Sequence, residues 1–461
     1  MHMHMYERHG HIRRRKNTNP RQNANGSFRF PETSLDFSLA HAKQAVVLSL
    51  ARNPTNRLHR QFALNFRKSN IMSDTPMDLP TMLQQQPERV RLVITTDCEP
   101  DDVAVLIAVE RLALPVHSVL VVKEVPVQND TDSPLDRGCV FERFRDVLDA
   151  HTQNCQGDCT TTERKNRLED SKFYYETADL LADRIKTGVF EILESKHIPV
   201  VIHIANFLPL YHFAVANRLL AKQCFVAAYG SVNIRWALRQ GLQQASSSLM
   251  EIINTAFAQC LIFETFGAFG QKNVANPETA PELWERLGWP PTSQHTLEHV
   301  PASSPPVTRS KSLDTELREI IADWNDKMVN RQIRDLAKKS DSFRGMTLSN
   351  ASDFTSLLKS VTEDPKHADH TRVKIIYNIL TFREQFVFAD IGLMMALMDP
   401  VECHHFVPVC MDLSASNFVT TAAPRDGDTG RYFLPPNDAA QTQTLRLRRL
   451  SAAFGALFCD S

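Results

Sequence analysis

Apolar and polar positions follow two periods along this chain, and the periods alternate. Short, largely apolar runs occur at Leu92–Thr96, a β-branched run, and at Val116–Val122, Pro199–Ile204, Phe225–Tyr229 and Phe406–Leu413. Runs of that length bounded by turn residues predict buried strands. Between them, helical spacing predicts helices over Val103–Val109, Val140–Ala150, Tyr174–Glu194, Pro209–Leu220, Met250–Phe266, Leu313–Lys339 and Ile391–Met398. Strands alternating with helices predict an α/β fold with a mostly parallel central sheet flanked by helices. The stretch from Trp289 to Lys311 is rich in Pro, Ser and Thr and has no apolar period. It opens an insertion expected near residues 290–365. No internal repeat is present.

Residues 1–88 differ from the rest. They are basic (Arg13, Arg14, Arg15, Lys16, Arg21, Arg29, Arg52, Arg57, Arg60, Arg67, Lys68), with few acids and frequent Asn, Pro and His. A helix over Ser38–Arg52 is the one amphipathic piece. Such a start reads as a disordered extension, an organellar transit peptide, or sequence ahead of a start at Met72 or Met77. The expected division is therefore an extension over 1–88 and an α/β domain over 89–461.

The 461 residues carry a formal net charge of -1, which supplies no global attraction to nucleic acid or an anionic membrane. No apolar run approaches the roughly 20 residues of a membrane-spanning helix. Nine scattered cysteines do not form a disulfide framework, and Cys155 and Cys159 lack a second pair at zinc spacing. An intracellular, cytoplasmic location is expected unless the basic start directs the chain to an organelle.

The chemistry concentrates where the first strand meets the first helix. Asp97, Glu99, Asp101 and Asp102 fall within six residues, at a strand C-terminus leading into a helix whose first turn holds Pro100. Open α/β sheets place their ligands at such ends. Carboxylates this close repel one another unless a proton is held or a cation is bound. Oxygen-only donors favour a hard cation, Ca²⁺ or Mg²⁺, over zinc. An acidic helix start that merely caps the helix is the bland alternative, and an N-cap equally explains Asp390 at the head of its apolar helix.

Together these pieces resemble the inosine–uridine-preferring nucleoside hydrolases, from about Arg91 to the C-terminus. Asp97-Cys98-Glu99-Pro100-Asp101-Asp102 keeps the spacing of that family's N-terminal signature. Asp390 to Asp399-Pro400, followed by Val407-Pro408-Val409, looks like its late signature. Phe207 to Ala214 is similar in outline to its middle segment. The resemblance implies a calcium-dependent N-ribohydrolase. It assigns Asp97, Asp102 and Asp390 as Ca²⁺ ligands, with a backbone carbonyl of Phe207 or neighbouring Asn206. Asp97 would also be the general base toward the attacking water. Asp101 and Asp390 would contact the ribose, with Glu251 and Asn254 as its further partners. The implied partner is a small-molecule riboside, with homo-oligomerisation open and neither nucleic acid nor membrane involved.

Two departures bear on activity. Glu99 adds an acid where the family has Pro-Gly, and Ala389 stands where many members carry a histidine that protonates the leaving base. A missing general acid costs about 10²–10⁴-fold in rate. His203, His212, His404 and His405 are the histidines that can replace it, His212 first among them. A family member that keeps the fold but binds rather than hydrolyses is the competing expectation. A phosphatase with a nucleophilic Asp97 is a third, disfavoured by Glu99 in place of a second Asp.

Overall fold

The computed structural model describes residues 77–123, 168, 171–264, 274–288, 313–344, 351–381, 384–414, 419–433 and 439–458. The expected helices at Ser38–Arg52 and Val140–Ala150, and Cys155 and Cys159, lie outside them. One unit takes in Asp78–Ser461. It opens with helix α1 (Leu79–Gln85), where the Asp78 side chain accepts from the Thr81 amide at 3.1 Å and Pro80 sits in the first turn. Leu79, Met82 and Leu83 are buried, so the folded unit starts about ten residues ahead of the boundary expected at 88/89. The Arg-rich composition ends near Lys68, and the short α1 carries no charge of its own to separate it from the tail.

Strand β1 (Val90–Thr96) leads into α2 (Pro100–Arg111) and β2 (Val116–Val122). Then come β3 (Lys172–Glu176), α3 (Ala178–Glu194), β4 (Ile198–His203), α4 (Leu208–Ala216) and α5 (Arg218–Ala221). They are followed by β5 (Phe225–Tyr229), α6 (Ser231–Ala237), α7 (Ser246–Thr255) and β6 (Gln259–Phe263). Three expectations fail here. The single helix expected over Pro209–Leu220 breaks at Asn217 into α4 and α5. The helix expected from Tyr174 begins only at Ala178, because Lys-Phe-Tyr-Tyr-Glu forms the edge strand β3 beside β2. The long helix expected over Met250–Phe266 stops at Thr255, and Gln259–Phe263 becomes a fully buried strand between β5 and a late strand.

The C-terminal half contributes β7 (Val274–Ala275), α8 (Pro281–Leu287), α9 (Leu313–Lys339), α10 (Ala351–Glu363) and α11 (His370–Thr381). After them come β8 (Phe386–Val387), α12 (Asp390–Met398), β9 (Phe406–Pro408), β10 (Cys410–Leu413), β11 (Val419–Ala422), β12 (Gly430–Phe433) and α13 (Ala439–Ala456). The single strand expected over Phe406–Leu413 is broken after Pro408. Its first part pairs with β12 and its second with β11 in a separate ribbon.

The main sheet runs in the order β3-β2-β1-β4-β5-β6-β12-β9. Every pairing in it is parallel except β12 with β9. The chain moves outward from β1 to β3, then returns to β4 on the other flank of β1. The strand order thus reverses between β1 and β4, the place where such sheets open a crevice at their C-terminal edge. Strand β1 is buried along nearly its whole length, as a central parallel strand covered on both faces must be. Helices α3 and α4 pack on each other, while α2 packs on α12 and α9.

The helical segment from α9 to α11 has its own core of Val329, Ile333, Leu336, Phe343, Leu358, Val361, Val373 and Ile376. It is fastened just upstream of Asp390, where the Asn325 amide donates to the Gln385 carbonyl at 2.6 Å and Arg318 pairs with Glu384 at 3.2 Å. Among the described residues no helix is long and apolar enough to cross a membrane.

Candidate metal and ligand site

The turn after β1 is built around one carboxylate oxygen. Oδ2 of Asp102 accepts from the Thr96 hydroxyl at 2.7 Å, the Asp97 amide at 3.0 Å and the Glu99 amide at 3.3 Å. Glu99 and Asp102 form a reciprocal capping box at the start of α2, which explains the extra acid at position 99 as a helix cap. The tight turn forces Cys98 to φ 64. A non-glycine residue there costs on the order of 1–3 kcal/mol, a strain typical of functional turns.

Asp390 arrives from the other end of the chain as the first residue of α12, with Ala389 as its N-cap. Carboxylate oxygens of Asp101, Asp102 and Asp390 lie within 4.8 Å of one another, and all three residues are buried. The Asp102 carboxyl also hydrogen-bonds Asp97, and that of Asp390 hydrogen-bonds Asp101. Burial, then the neighbouring charges of Asp97 and Asp101, pushes Asp102 well above the usual carboxylate range, against the pull of the Thr96 hydroxyl. Burial and the charges of Asp101, Asp102 and Asp97 do the same to Asp390. Oδ1 of Asp390 is buried without a hydrogen-bond partner. A buried acceptor left so costs about 1–3 kcal/mol, and a cation is the natural occupant of such an oxygen-only cluster.

The adjoining end of β4 supplies neutral polar groups. His203 is fully buried between the Thr95 hydroxyl, against Nδ1, and the Asn206 carbonyl, 3.0 Å from Nε2. Burial lowers its pKa to about 3 against the opposing pull of the Asn206 carbonyl and the Asp97 charge, so it is neutral at ordinary pH. The Phe207 carbonyl accepts from the Tyr211 amide at 2.9 Å, which starts α4. Both proposed carbonyl ligands therefore keep one lone pair each.

The other residues singled out from the sequence lie elsewhere. Asn254 is a strand clamp: its amide donates to the Met411 carbonyl at 2.7 Å and accepts from the Met411 amide at 2.8 Å. Its own carbonyl receives the Thr429 amide, whose residue also bonds the N-terminal end of β6, the end opposite the acids. Glu251 is exposed on the same helix. Asn254 is thus engaged at the end of the sheet opposite the acids. Asn254→Ala is expected to lose about 2–4 kcal/mol of stability, two buried hydrogen bonds, with unchanged metal affinity, measured by denaturant unfolding and calorimetry. His212 pairs at the surface with Asp179 at 3.3 Å. His404 is exposed, and His405 stands edge-on to Phe433.

Asn233, in the turn after β5, has no role assigned from the sequence. It is fully buried in α6, with neither side-chain polar atom bonded. Its carbonyl takes the Phe207 amide at 3.4 Å, which places it against the β4 loop. The Gly-Ser-x-Asn turn directly after β5 was the available signal.

No protein-family profile matches the sequence. No curated protein matches it. Solved structures do. The type III effector protein XopQ, complexed with adenosine diphosphate ribose, is 12% identical over 82% of this chain and 96% of its own, with TM-score 0.40. An inosine-guanosine nucleoside hydrolase is 7% identical over 79% of this chain and 98% of its own, with TM-score 0.38. The inosine-uridine preferring nucleoside hydrolase of Bacillus anthracis is 8% identical over 78% of this chain and 99% of its own, with TM-score 0.32. At TM-scores below 0.5 these likenesses carry neither a residue role nor an activity across to this chain.

Proposed function

We propose that this protein is a calcium-dependent N-ribohydrolase that cleaves the N-glycosidic bond of a nucleoside or a related riboside. The observation that supports this most is the convergence of Asp101, Asp102 and Asp390, buried, from opposite ends of the chain. Asp102 and Asp390, with Asp97 and a carbonyl of Phe207 or Asn206, would hold the ion. Calcium, when bound, supplies the acidity that activates a water and an affinity for vicinal hydroxyls. Asp97 takes the proton of the attacking water. Asp101 contacts a ribose hydroxyl. The surrounding carboxylates stabilise the positive charge that develops on the sugar. Residues 1–77 are a basic extension to this unit.

A second reading has a specific observation behind it. Ala389 precedes Asp390, and His203 is neutral and engaged on both ring nitrogens. A site without a proton donor binds ribosides better than it hydrolyses them. Hydrolysis of p-nitrophenyl riboside, inosine and uridine, each with calcium and with chelator, separates the readings. Nitrophenolate leaves without protonation. Calcium-dependent cleavage of the nitrophenyl substrate with weak action on the nucleosides is the expected result. No cleavage of any of the three by folded protein would favour the binding reading.

A further inference from the structure

The buried amide of Asn206 and the imidazole behind it have no part in the chemistry proposed above. We propose that Asn206 contacts the ligand, its side-chain amide donating a hydrogen bond to a hydroxyl or ring oxygen of the riboside, and that His203 is its positioning residue. This rests on the reading that the acidic site holds a hydroxyl-rich sugar.

Asn206 is fully buried, and its Nδ2 has no hydrogen-bond partner. Its Oδ1 accepts from the Leu208 amide at 3.1 Å, so the amide is fixed and its NH₂ cannot exchange places with the oxygen. Buried donors are almost always satisfied, and one left open at a strand end beside a ligand crevice is a donor placed for an acceptor. That acceptor is an oxygen of the ligand, since an NH₂ group repels a cation. The two turns are neighbours: β4 pairs with β1 residue by residue up to Thr95 and His203, and Asp97 follows two residues later.

The main chain of Asn206 is held from beneath. A carbonyl only accepts, so Nε2 of His203 carries the hydrogen, and Nδ1 accepts from the Thr95 hydroxyl. The Thr95 carbonyl takes the Ile204 amide at 2.8 Å, a second stitch between the two strand ends. Phe207 then closes over the ring, edge-on with centroids 4.8 Å apart. Thr95, His203 and Asn206 thus form one relay from β1 to the open amide.

The test compares wild type with Asn206→Ala, Asn206→Ser, His203→Gln and the double variant Asn206→Ala/His203→Gln. Each is checked for folding by thermal melt. Calcium affinity is read by calorimetry, and KM and kcat on p-nitrophenyl riboside by absorbance. Asn206→Ala is expected to raise KM about tenfold, the loss of one buried hydrogen bond, with calcium affinity within about twofold. Asn206→Ser, which keeps a cap for the Leu208 amide, should do the same. His203→Gln should raise KM less, and should add nothing once Asn206 is alanine. An unchanged KM in both Asn206 variants, or an additive His203 effect, would overturn the proposal. If wild type binds the riboside in calcium without cleaving it, hydrolysis falls and the same variants are read by binding. If it binds neither substrate nor inosine, both readings fall, since Asn206 then has no ligand to meet.

Discussion

Asp102→Asn is expected to raise the melting temperature of the calcium-free protein while abolishing the increment that calcium adds. The Asp102 carboxyl is held well above its usual range by burial first and by Asp97 and Asp101 next. In the metal-free fold the cluster therefore keeps protons that the unfolded chain, with carboxyls near pKa 3.9, has already released. Metal-free stability must then fall as pH rises from that range through the raised values, the reverse of an ordinary ion-paired aspartate. An Asn at position 102 keeps an oxygen for Thr96, Asp97 and Glu99, and turns its NH₂ toward the Asp97 carboxylate in place of the shared proton. The repulsion and the pH slope both shrink, at most about 2–4 °C in melting temperature for each kcal/mol relieved. Calcium bound to wild type at 1,000 times its dissociation constant adds about 4.1 kcal/mol, and that gain should be absent from the variant. Melts in chelator and in calcium between mildly acid and mildly basic pH measure all three effects. Tight calcium retention by the variant would remove Asp102 from the ligand set.

What the sequence revealed follows from which signals are local. The strand ends carrying Asp97 and Asn206 were legible because β1 and β4 are short, largely apolar runs rich in Val and Ile, the signature of central parallel strands. Strand β6 was not, since Gln-Cys-Leu-Ile-Phe follows the helix α7 with only Ala256–Ala258 between them, and four apolar residues in a row fit either period. Glu251 and Asn254 enter the expected site through the motif resemblance alone, and Asn254 serves as a strand clamp. Strand β3 was hidden for the opposite reason: as a half-exposed edge it has no apolar run. The meeting of Asp390 with Asp101 and Asp102 spans nearly 290 positions and rests on the motif resemblance alone until coordinates bring the groups together. The turn after β5 marks Asn233 as a candidate position, but the unmet hydrogen bonds of Asn206 and Asn233 are a property of surroundings and not of residue type.

Ala389→His is expected to raise kcat/KM on inosine by about 10²-fold, the low end for a general acid, and to leave p-nitrophenyl riboside within about threefold. Of the four histidines that the sequence offers as donors, His203 sits within the strand relay, His212 pairs with Asp179, His405 stands against Phe433, and His404 is exposed. Position 389 is the N-cap of α12, directly before Asp390, so a side chain there starts from the rim of the acidic cluster. A purine leaves poorly as an anion, and the nitrophenolate does not need the proton, so a gain confined to inosine identifies acid catalysis. The gain should also fade above the imidazolium range, near pH 6.5 for an unperturbed ring. Ala389 is buried, and the larger side chain costs about 1–3 kcal/mol of packing strain, so rates are compared well below the melting temperature. Ala389→Gln, similar in bulk and unable to donate as an acid, is the control. Equal rates for the His and Gln variants on inosine would mean that no leaving group departs beside position 389, and the ligand-binding reading would then take precedence.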